Sequence, residues 1–175
     1  IKHCNPCGIG SGTSLAEAYP KAFATDTVSP FGGIVAVSRA LDLETASLIN
    51  HVFTEIIIAP DYEPGVLEFL QKKKNRRLIR FQPALLEKPA NPWEIKTLTW
   101  GYLAQDWDLV SESQETWKVV TVKQPTLPEF RALIYGWKAV SILKSNAIAL
   151  AAEDRVLGFG SGQTSRIDST SLAIW

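Results

Sequence analysis

The sequence predicts a layered α/β fold in which helices pack on both faces of a mixed sheet. Two observations carry this prediction. Short β-branched runs such as IVAV (34–37) and IIIAP (56–60) are typical of buried strands. The segments between such runs place apolar residues three and four positions apart, as amphipathic helices do. Alternation of the two patterns favours helices layered on a buried sheet.

The first half of the chain alternates helices and strands. Its predicted elements are helices over 15–25 and 43–53, a third helix with Pro64 in its first turn, and strands at 34–37, 56–60 and 78–81. Asp42 is the predicted N-cap of the second helix. Pro20 argues against an unbroken first helix, because proline lacks the N–H that an interior position donates. The basic run KKKNRR (72–77) is predicted to be a solvated helix end.

The second half begins after a proline-rich stretch, 82–95, which we interpret as a connection between two subdomains. Strands are then predicted at LTWGYLAQ (98–105) and TWKVVT (116–121). Thr126 and Glu129 form a T-x-x-E capping box that opens a helix. The remaining predicted elements are a strand within KSNAIALAA (144–152), a turn at Asp154 and a strand VLGFG (156–160) that is its hairpin partner or neighbour. The polar loop SGQTSRIDST (161–170) is predicted to begin a final, truncated helix.

Composition limits the function classes. Eighteen basic and 18 acidic residues among 175 give a formal charge of zero, so nothing indicates a nucleic-acid or membrane surface. No apolar run approaches the roughly 20 residues of a membrane span. With two cysteines, no disulfide framework forms, and we expect a cytoplasmic protein with reduced thiols. Because methionine is absent and the chain opens within a motif, we expect a fragment of a longer protein.

Lys2 and His3 are the first candidates for chemistry. A histidine can take a proton from an attacking amine, and a neighbouring ammonium can stabilise negative charge on a carbonyl oxygen. Adjacent residues of a strand point to opposite faces, so both reach one substrate only where regular structure is interrupted. The Asn5-Pro6 pair favours such an interruption. The alternative is two exposed polar residues, since the dipeptide itself is common.

His3, Cys4 and Cys7 are candidate metal ligands, because zinc is bound by thiolate and imidazole groups. A closed zinc site needs four ligands, and the other histidine, His51, lies on a segment with helical apolar spacing. Zinc deaminases combine H-x-E with P-C-x-x-C. Here Asn5 replaces the glutamate and Gly10 the second cysteine. We therefore expect no metal at this site.

Two further motifs leave alternatives open. Gly158, Gly160 and Gly162 form a G-x-G-x-G pattern that suits either a phosphate loop, with Arg166 as a fork for phosphate or carboxylate, or a tight exit from a strand. Asn146 lies between a helix and a strand, where its side chain either caps backbone groups or positions a substrate amide.

The order and wording of the motifs are more specific than any one of them. The segments IKHCNPCGIG, ATDTVSPFGGIVA, EIIIAP, KKKN, VVTVKQPT, WKAVSILKSNAIAL and GFGSGQTSRIDS run in this order through almost the whole chain. Together they resemble the transformylase domain of the bifunctional purine biosynthesis enzymes, with wording closest to bacterial members. In that family a formyltransferase domain follows an inosinate cyclohydrolase domain.

The resemblance implies a reaction and a fold. Formyl would pass from 10-formyltetrahydrofolate, as co-substrate, to the 5-amino group of 5-aminoimidazole-4-carboxamide ribonucleotide. The implied fold is a pair of cytidine deaminase-like subdomains without the deaminase zinc, which we place at 1–85 and 86–175. The implied assembly is a homodimer with sites shared across the interface.

The resemblance also assigns roles to residues. It implies catalytic roles for Lys2, His3 and Asn146, nucleotide contacts for Gly32, Glu55, Asn146 and Arg166, and a folate contact for Ile167. In this scheme Lys2 stabilises the transition state, His3 accepts the proton and Asn146 orients the carboxamide region.

Parts of the family pattern are missing from the sequence, which leaves two other classes open. The Arg-Tyr-Gly segment expected upstream of Lys2, the C-terminal segments with further phosphate and folate contacts, and the cyclohydrolase domain are not present. The fragment is therefore predicted to be inactive alone. The alternatives are an inactive remnant that serves as a structural or interaction module, and a zinc deaminase of related fold.

Overall fold

The computed structural model describes residues 1–86, 91–108 and 113–175. Within residues 1–86 the elements are α1 (Leu15–Phe23), β1 (Gly33–Ala36), α2 (Leu43–Asn50), β2 (Thr54–Ala59), α3 (Val66–Gln71), β3 (Arg77–Arg80) and a 3-10 turn (Pro83–Leu86). The later elements are β4 (Trp93–Leu98), β5 (Gly101–Asp106), a 3-10 turn (Gln114–Thr116), α4 (Leu127–Val140), β6 (Ile148–Ala151), β7 (Val156–Gly160) and α5 (Arg166–Ile174). The predicted α/β class is confirmed.

A parallel three-stranded sheet, in the order β1-β2-β3, organises the first half. Val35, Ile57 and Leu78 are aligned across it and therefore share one face. Against this face lies the core cluster, whose members are Leu41, Ala46, Ile49, Ile57, Ala59, Val66 and Leu70. These residues come from β2, α2, α3 and the loop before α2, so apolar burial holds the sheet and these helices together.

Helix α1 is unbroken across Pro20, so the predicted interruption is wrong. Ser14 caps the helix by accepting a hydrogen bond from the Glu17 N–H at 3.1 Å. Leu15 and Tyr19 pack against the core cluster and hold the helix in place. Tertiary packing therefore compensates for the single backbone bond that proline removes.

The predicted N-cap of α2 is confirmed, because Asp42 Oδ1 accepts from the Thr45 N–H at 2.7 Å. The helix ends at Asn50, earlier than position 53. The basic run 72–77 is only partly solvated. The guanidinium of Arg76 is buried, donates to Thr54 O at 3.1 Å and to Asn50 Oδ1 at 3.0 Å, and fastens the end of α2 to the start of β2.

Strands β4 and β5 form an antiparallel hairpin, which corrects the prediction of one strand over 98–105. Leu98 pairs with Gly101, so the turn is formed by Thr99 and Trp100. The predicted strand at 116–121 is wrong as well. After the 3-10 turn, the segment is irregular backbone. Within the described residues no strand lies beside it to supply hydrogen bonds. Of the predicted connection at 82–95, residues 87–90 lie outside the described residues.

The predicted capping box is confirmed at the start of α4. Thr126 Oγ1 accepts from the Glu129 N–H, and the Glu129 carboxylate accepts from the Thr126 N–H at 2.7 Å. The predicted strand pair is confirmed as β6 and β7, which are antiparallel. Helix α5 then packs closely on β7.

Hydrogen bonds join the first half of the chain to the β6–β7 pair. The Val156 N–H donates to Ile9 O at 2.9 Å, and the Thr25 hydroxyl donates to Val156 O at 2.7 Å. The Lys21 ammonium lies 2.7 Å from Asp154 Oδ2 in the turn between the two strands. Residues on both sides of the predicted subdomain boundary are thus in direct contact, while the boundary itself stays a prediction.

Candidate active site

Lys2 and His3 lie in a tight turn. The Lys2 N–H donates to Asn5 O at 2.8 Å and the Asn5 N–H donates to Lys2 O at 3.0 Å. His3 and Cys4 form the centre of this turn with φ of 53° and 65°. Positive φ at both central residues is the pattern of a type I′ turn. The interruption of regular structure therefore lies before the Asn5-Pro6 pair, and it leaves the His3 side chain exposed.

The Lys2 side chain is directed by Ser29. Its Nζ donates to Ser29 O at 3.2 Å and lies 3.4 Å from Ser29 Oγ. An ammonium has three N–H donors, so this arrangement leaves one donor for a ligand. The segment that holds Lys2 leads directly into the turn before β1.

Gly32 and Glu55 are linked through Phe53. The Gly32 N–H donates to Phe53 O at 2.8 Å, so the carbonyl is the backbone group that Gly32 can offer a ligand. Its φ of 73° suits glycine. Glu55 follows two residues after Phe53. Because Gly32 directly precedes β1 and Glu55 is the second residue of β2, these residues lie with Lys2 at the amino end of the parallel sheet.

An arginine accompanies Glu55. The Arg77 Nη1 lies 2.9 Å from Glu55 Oε1, and both side chains are exposed. They border a shallow depression of about 480 Å³, which is lined by Phe53, Glu55, Lys74, Asn75 and Arg77. One carboxylate and three polar or basic neighbours suit a ligand that carries both hydroxyl groups and negative charge.

Asn146 belongs to a second group of residues, at the far end of the β6–β7 pair. Its Nδ2 donates to Gln163 O at 3.0 Å and to Thr164 O at 3.2 Å. Two carbonyl partners identify this atom as the amide nitrogen and use both of its protons. The Oδ1 is therefore the atom that Asn146 can offer, as an acceptor. The capping and positioning alternatives are compatible, since they use different atoms.

Arg166 and Ile167 open helix α5, which Ser165 caps by accepting from the Asp168 N–H at 3.1 Å. Both side chains point to solvent, and that of Ile167 is 78% exposed. A short loop, 161–165, connects them to β7 and carries the carbonyls that hold Asn146. Asn146 is thus bonded to the loop that leads directly into Arg166 and Ile167.

The glycine pattern of β7 has a packing role. A Cβ on Gly158 would lie 2.1 Å from Ala173 O, and one on Gly160 would lie 2.0 Å from Ser169 O. Both distances are far below van der Waals contact, so only glycine allows α5 to approach the strand this closely. Of the two alternatives for G-x-G-x-G, the structure favours the tight strand exit.

The two groups of candidate residues are not bonded to one another. Among the described residues, no hydrogen bond or ion pair joins Lys2, His3, Gly32 or Glu55 to Asn146 or Arg166. Nor do residues 1–86, 91–108 and 113–175 contain a group of three His, Cys, Asp or Glu side chains placed to hold a metal ion. A cavity of about 560 Å³ between α1, β1 and the loop before α1 is lined by other residues, among them Pro6, Ala18 and Ile34.

Comparison with known proteins identifies the family. The sequence model of the AICARFT/IMPCHase bienzyme family matches residues 1–175. The chain belongs to this family. It is 47% identical over 175 residues to the bifunctional purine biosynthesis protein PurH of Chlorobaculum parvum (strain DSM 263 / NCIMB 8327), and it covers 33% of that protein.

Two other PurH proteins match the chain with similar identity and over a similar share of their length. The PurH of Chloroflexus aurantiacus is 46% identical over 175 residues, with all of this chain and 34% of the relative covered. The PurH of Chlorobium phaeobacteroides (strain BS1) is 48% identical over 173 residues, with 99% of this chain and 32% of the relative covered. The chain therefore spans about a third of the length of the curated relatives it matches. None of the helices in the described ranges is long and apolar enough to cross a membrane.

Several residues of the candidate site escaped the sequence analysis. Ser29 directs Lys2, Phe53 links Gly32 to Glu55, and the carbonyls of Gln163 and Thr164 hold Asn146. These contacts use backbone atoms or partners 17 or more positions away, which residue identity alone does not reveal. The signal for Phe53 was its place two residues before Glu55 in the run HVFTE (51–55).

Proposed function

We propose that the chain takes part in formyl transfer from 10-formyltetrahydrofolate to the 5-amino group of 5-aminoimidazole-4-carboxamide ribonucleotide. Membership of the AICARFT/IMPCHase bienzyme family and relatives named as purine biosynthesis proteins support this activity. The observation that carries it is the turn from Lys2 to Asn5. This turn carries an exposed imidazole on the residue that directly follows Lys2, and the Lys2 ammonium retains a free donor. A general base and a donor to the carbonyl oxygen are the two groups that promote acyl transfer to an amine.

In the proposed mechanism, His3 accepts a proton from the substrate amine as its nitrogen attacks the formyl carbon. The new carbon–nitrogen bond forms, and the carbonyl oxygen gains negative charge. Lys2 donates a hydrogen bond to that oxygen. The bond from the formyl carbon to the folate nitrogen then breaks, and the protonated His3 gives its proton to this nitrogen, which leaves as tetrahydrofolate. The amine is a weak nucleophile because its lone pair is conjugated with the ring, so a positioned base is needed.

The nucleotide contacts follow from the atoms that each side chain leaves free. The Glu55 carboxylate can accept from hydroxyl groups, and the Gly32 carbonyl from a further donor. Asn146 Oδ1 can accept from an N–H of the substrate. The exposed Arg166 provides a planar fork for phosphate or carboxylate. The exposed apolar side chain of Ile167 supplies a surface for the folate ring system.

A composite site agrees with the lack of direct bonds between the two groups of residues in the described part of the chain. We propose that the protein is a cytoplasmic homodimer. In it, Lys2, His3, Gly32 and Glu55 of one subunit form a site together with the second group, Asn146, Arg166 and Ile167, of the other subunit. A site assembled from two subunits would explain why direct bonds between the groups are lacking in the described part of one chain. Sedimentation of the complete polypeptide that carries this sequence, with and without nucleotide, measures the assembly.

Replacement of His3 tests the function. In the complete polypeptide, His3→Ala should lower the rate of formyl transfer by about 10² to 10⁴, the usual contribution of general base catalysis. His51→Ala is the matched control, because His51 is the other histidine and is exposed at the end of α2. Equal rates for the two variants would contradict the role of His3. Stoichiometric zinc in the purified protein would favour a deaminase instead.

A further inference from the structure

A buried hydroxyl lies behind the candidate residue Asn146. Ser169 has an exposed fraction of 0% in helix α5, and its Oγ donates to Asn146 O at 2.8 Å. Two neighbours behave differently. The hydroxyls of Thr170 and Ser171 donate to Arg166 O and Ile167 O, four residues earlier in the same helix. Serine and threonine side chains in helices commonly donate to the carbonyl four residues earlier in this way. Of these three hydroxyls, only that of Ser169 reaches another segment.

The position of Ser169 is fixed from the side of the sheet. Gly160 in β7 comes so close to Ser169 that an added Cβ would lie 2.0 Å from its carbonyl oxygen. The helix cannot move toward the strand, and the Ser169 hydroxyl bridges to Asn146, two residues before β6 begins. The helix backbone therefore serves as a rigid support for the hydroxyl.

Every polar group of Asn146 except one is hydrogen-bonded to another residue. Its backbone N–H donates to Gln163 O at 3.1 Å, and its side-chain amide donates to Gln163 O and Thr164 O. Its carbonyl accepts from Ser169. The remaining group is Oδ1, the atom that a substrate N–H can reach.

We propose that Ser169 is a positioning residue, which fixes the peptide of Asn146 so that Oδ1 faces an N–H donor of the nucleotide substrate. This inference rests on the proposed function for the part that Asn146 plays. Ser169 does not itself touch the substrate. Loss of its hydroxyl removes one of the bonds that set the direction of Oδ1. Any effect of this loss on catalysis is therefore transmitted through Asn146.

The kinetic test compares two serines of the same helix. In the complete polypeptide, Ser169→Ala should lower kcat/KM for the nucleotide about tenfold, the effect of one lost buried hydrogen bond. The KM for the folate co-substrate should stay within twofold of the parent value. Ser171→Ala, which removes a hydroxyl bonded within the helix, should leave both constants within twofold. Equal losses in the two variants would overturn the proposal.

A double-mutant cycle separates positioning from general damage. If Ser169 acts through Asn146, the Ser169→Ala effect should vanish in an Asn146→Ala background. Persistence of the full tenfold loss in that background would count against the proposal. Normal kinetics of Asn146→Ala itself would instead refute the part of the proposed function that uses Asn146.

Hydrogen exchange gives a readout that needs no activity. The backbone amides of Asn146 and Gln163 donate across the segment that Ser169 supports. Ser169→Ala should speed exchange in peptides that contain them at least fivefold, and Ser171→Ala should not. Unchanged exchange in Ser169→Ala would refute the positioning role even if formyl transfer proved absent.

Discussion

The Lys21 ammonium joins helix α1 to the turn between β6 and β7 by lying 2.7 Å from Asp154 Oδ2. The same nitrogen lies 2.6 Å from Glu17 Oε1 and donates to Ser11 O at 3.2 Å. The hydrogen bonds with Asp154 and then Glu17 raise the pKa of Lys21. One side chain therefore connects segments more than 130 positions apart in the sequence.

Replacement of Lys21 should weaken the contact between the two halves of the chain. Lys21→Met removes three partners at once, so we expect a lower melting temperature. Lys123→Met is the control, since Lys123 pairs with Glu129 at 3.0 Å within a single segment and is largely exposed. Exposed pairs contribute little to stability. Thermal unfolding followed by circular dichroism measures both, and equal shifts would contradict the prediction.

Acid should remove a specific part of the stability. The hydrogen bond from Lys21, and then those from Thr13, lower the pKa of Glu17 from an ordinary value of 4.5 to about 2. A carboxyl whose pKa is lower in the folded state stabilises it above the ordinary value and loses that contribution as the pH falls toward the folded value. Stability should therefore decline between about pH 4.5 and pH 2.

Glu17→Gln tests this titration. The variant should be less stable at neutral pH, and its unfolding should depend less on pH within the acid window. Urea unfolding at a series of pH values measures the slope. Glu63→Gln, at an exposed site outside the Lys21 network, serves as control. A parent-like slope in Glu17→Gln would show that another group causes the acid loss.

Two glycines should respond to alanine in opposite directions. Gly160→Ala would place Cβ 2.0 Å from Ser169 O, so β7 and α5 must separate, and we expect a loss of about 1–3 kcal/mol. Gly136→Ala lies inside α4, where Cβ would be 3.5 Å from the Ala151 Cβ, an ordinary contact. It should stabilise by about 0.5–1 kcal/mol. Chemical denaturation measures both, and effects of the same sign would refute the packing argument.

The core of the parallel sheet should be sensitive to side-chain volume. Ile57 is completely buried on β2, so Ile57→Ala should cost about 2–5 kcal/mol. Ile79 on neighbouring β3 is 43% exposed, and Ile79→Ala should cost about 1 kcal/mol. The free energy of unfolding in urea compares the two. Similar losses would indicate that another part of the protein covers Ile79.

Local signals in the sequence predicted the helices and their caps well. Asp42 and Thr126 cap helices as expected, because a cap depends on residues only three positions apart. The prediction failed where distant contacts decide the structure. Pro20 stays within a helix because Leu15 and Tyr19 pack on the core cluster, and TWKVVT stays irregular because strand-forming residues need a partner strand.

The candidate site was predictable as residue types but not as geometry. The resemblance supplied roles for Lys2, His3 and Asn146, and these roles stay predictions. The sequence did not indicate which atoms are already engaged. Ser29 takes two contacts with Lys2, and both protons of the Asn146 amide are used by carbonyls 17 and 18 positions later. Free atoms depend on the folded backbone, so only the structure reveals them.

The turn at His3 and Cys4 has a consequence for chirality. At these two positions the backbone adopts the conformation that residues of the opposite hand prefer, at a cost of about 1 kcal/mol or more for each L residue. A chain assembled by chemical synthesis with D-cysteine in place of Cys4 should therefore form the turn more readily than the natural chain. Handedness at this one atom would tune how firmly the imidazole of the neighbouring residue is presented, without any change in the side chains around it.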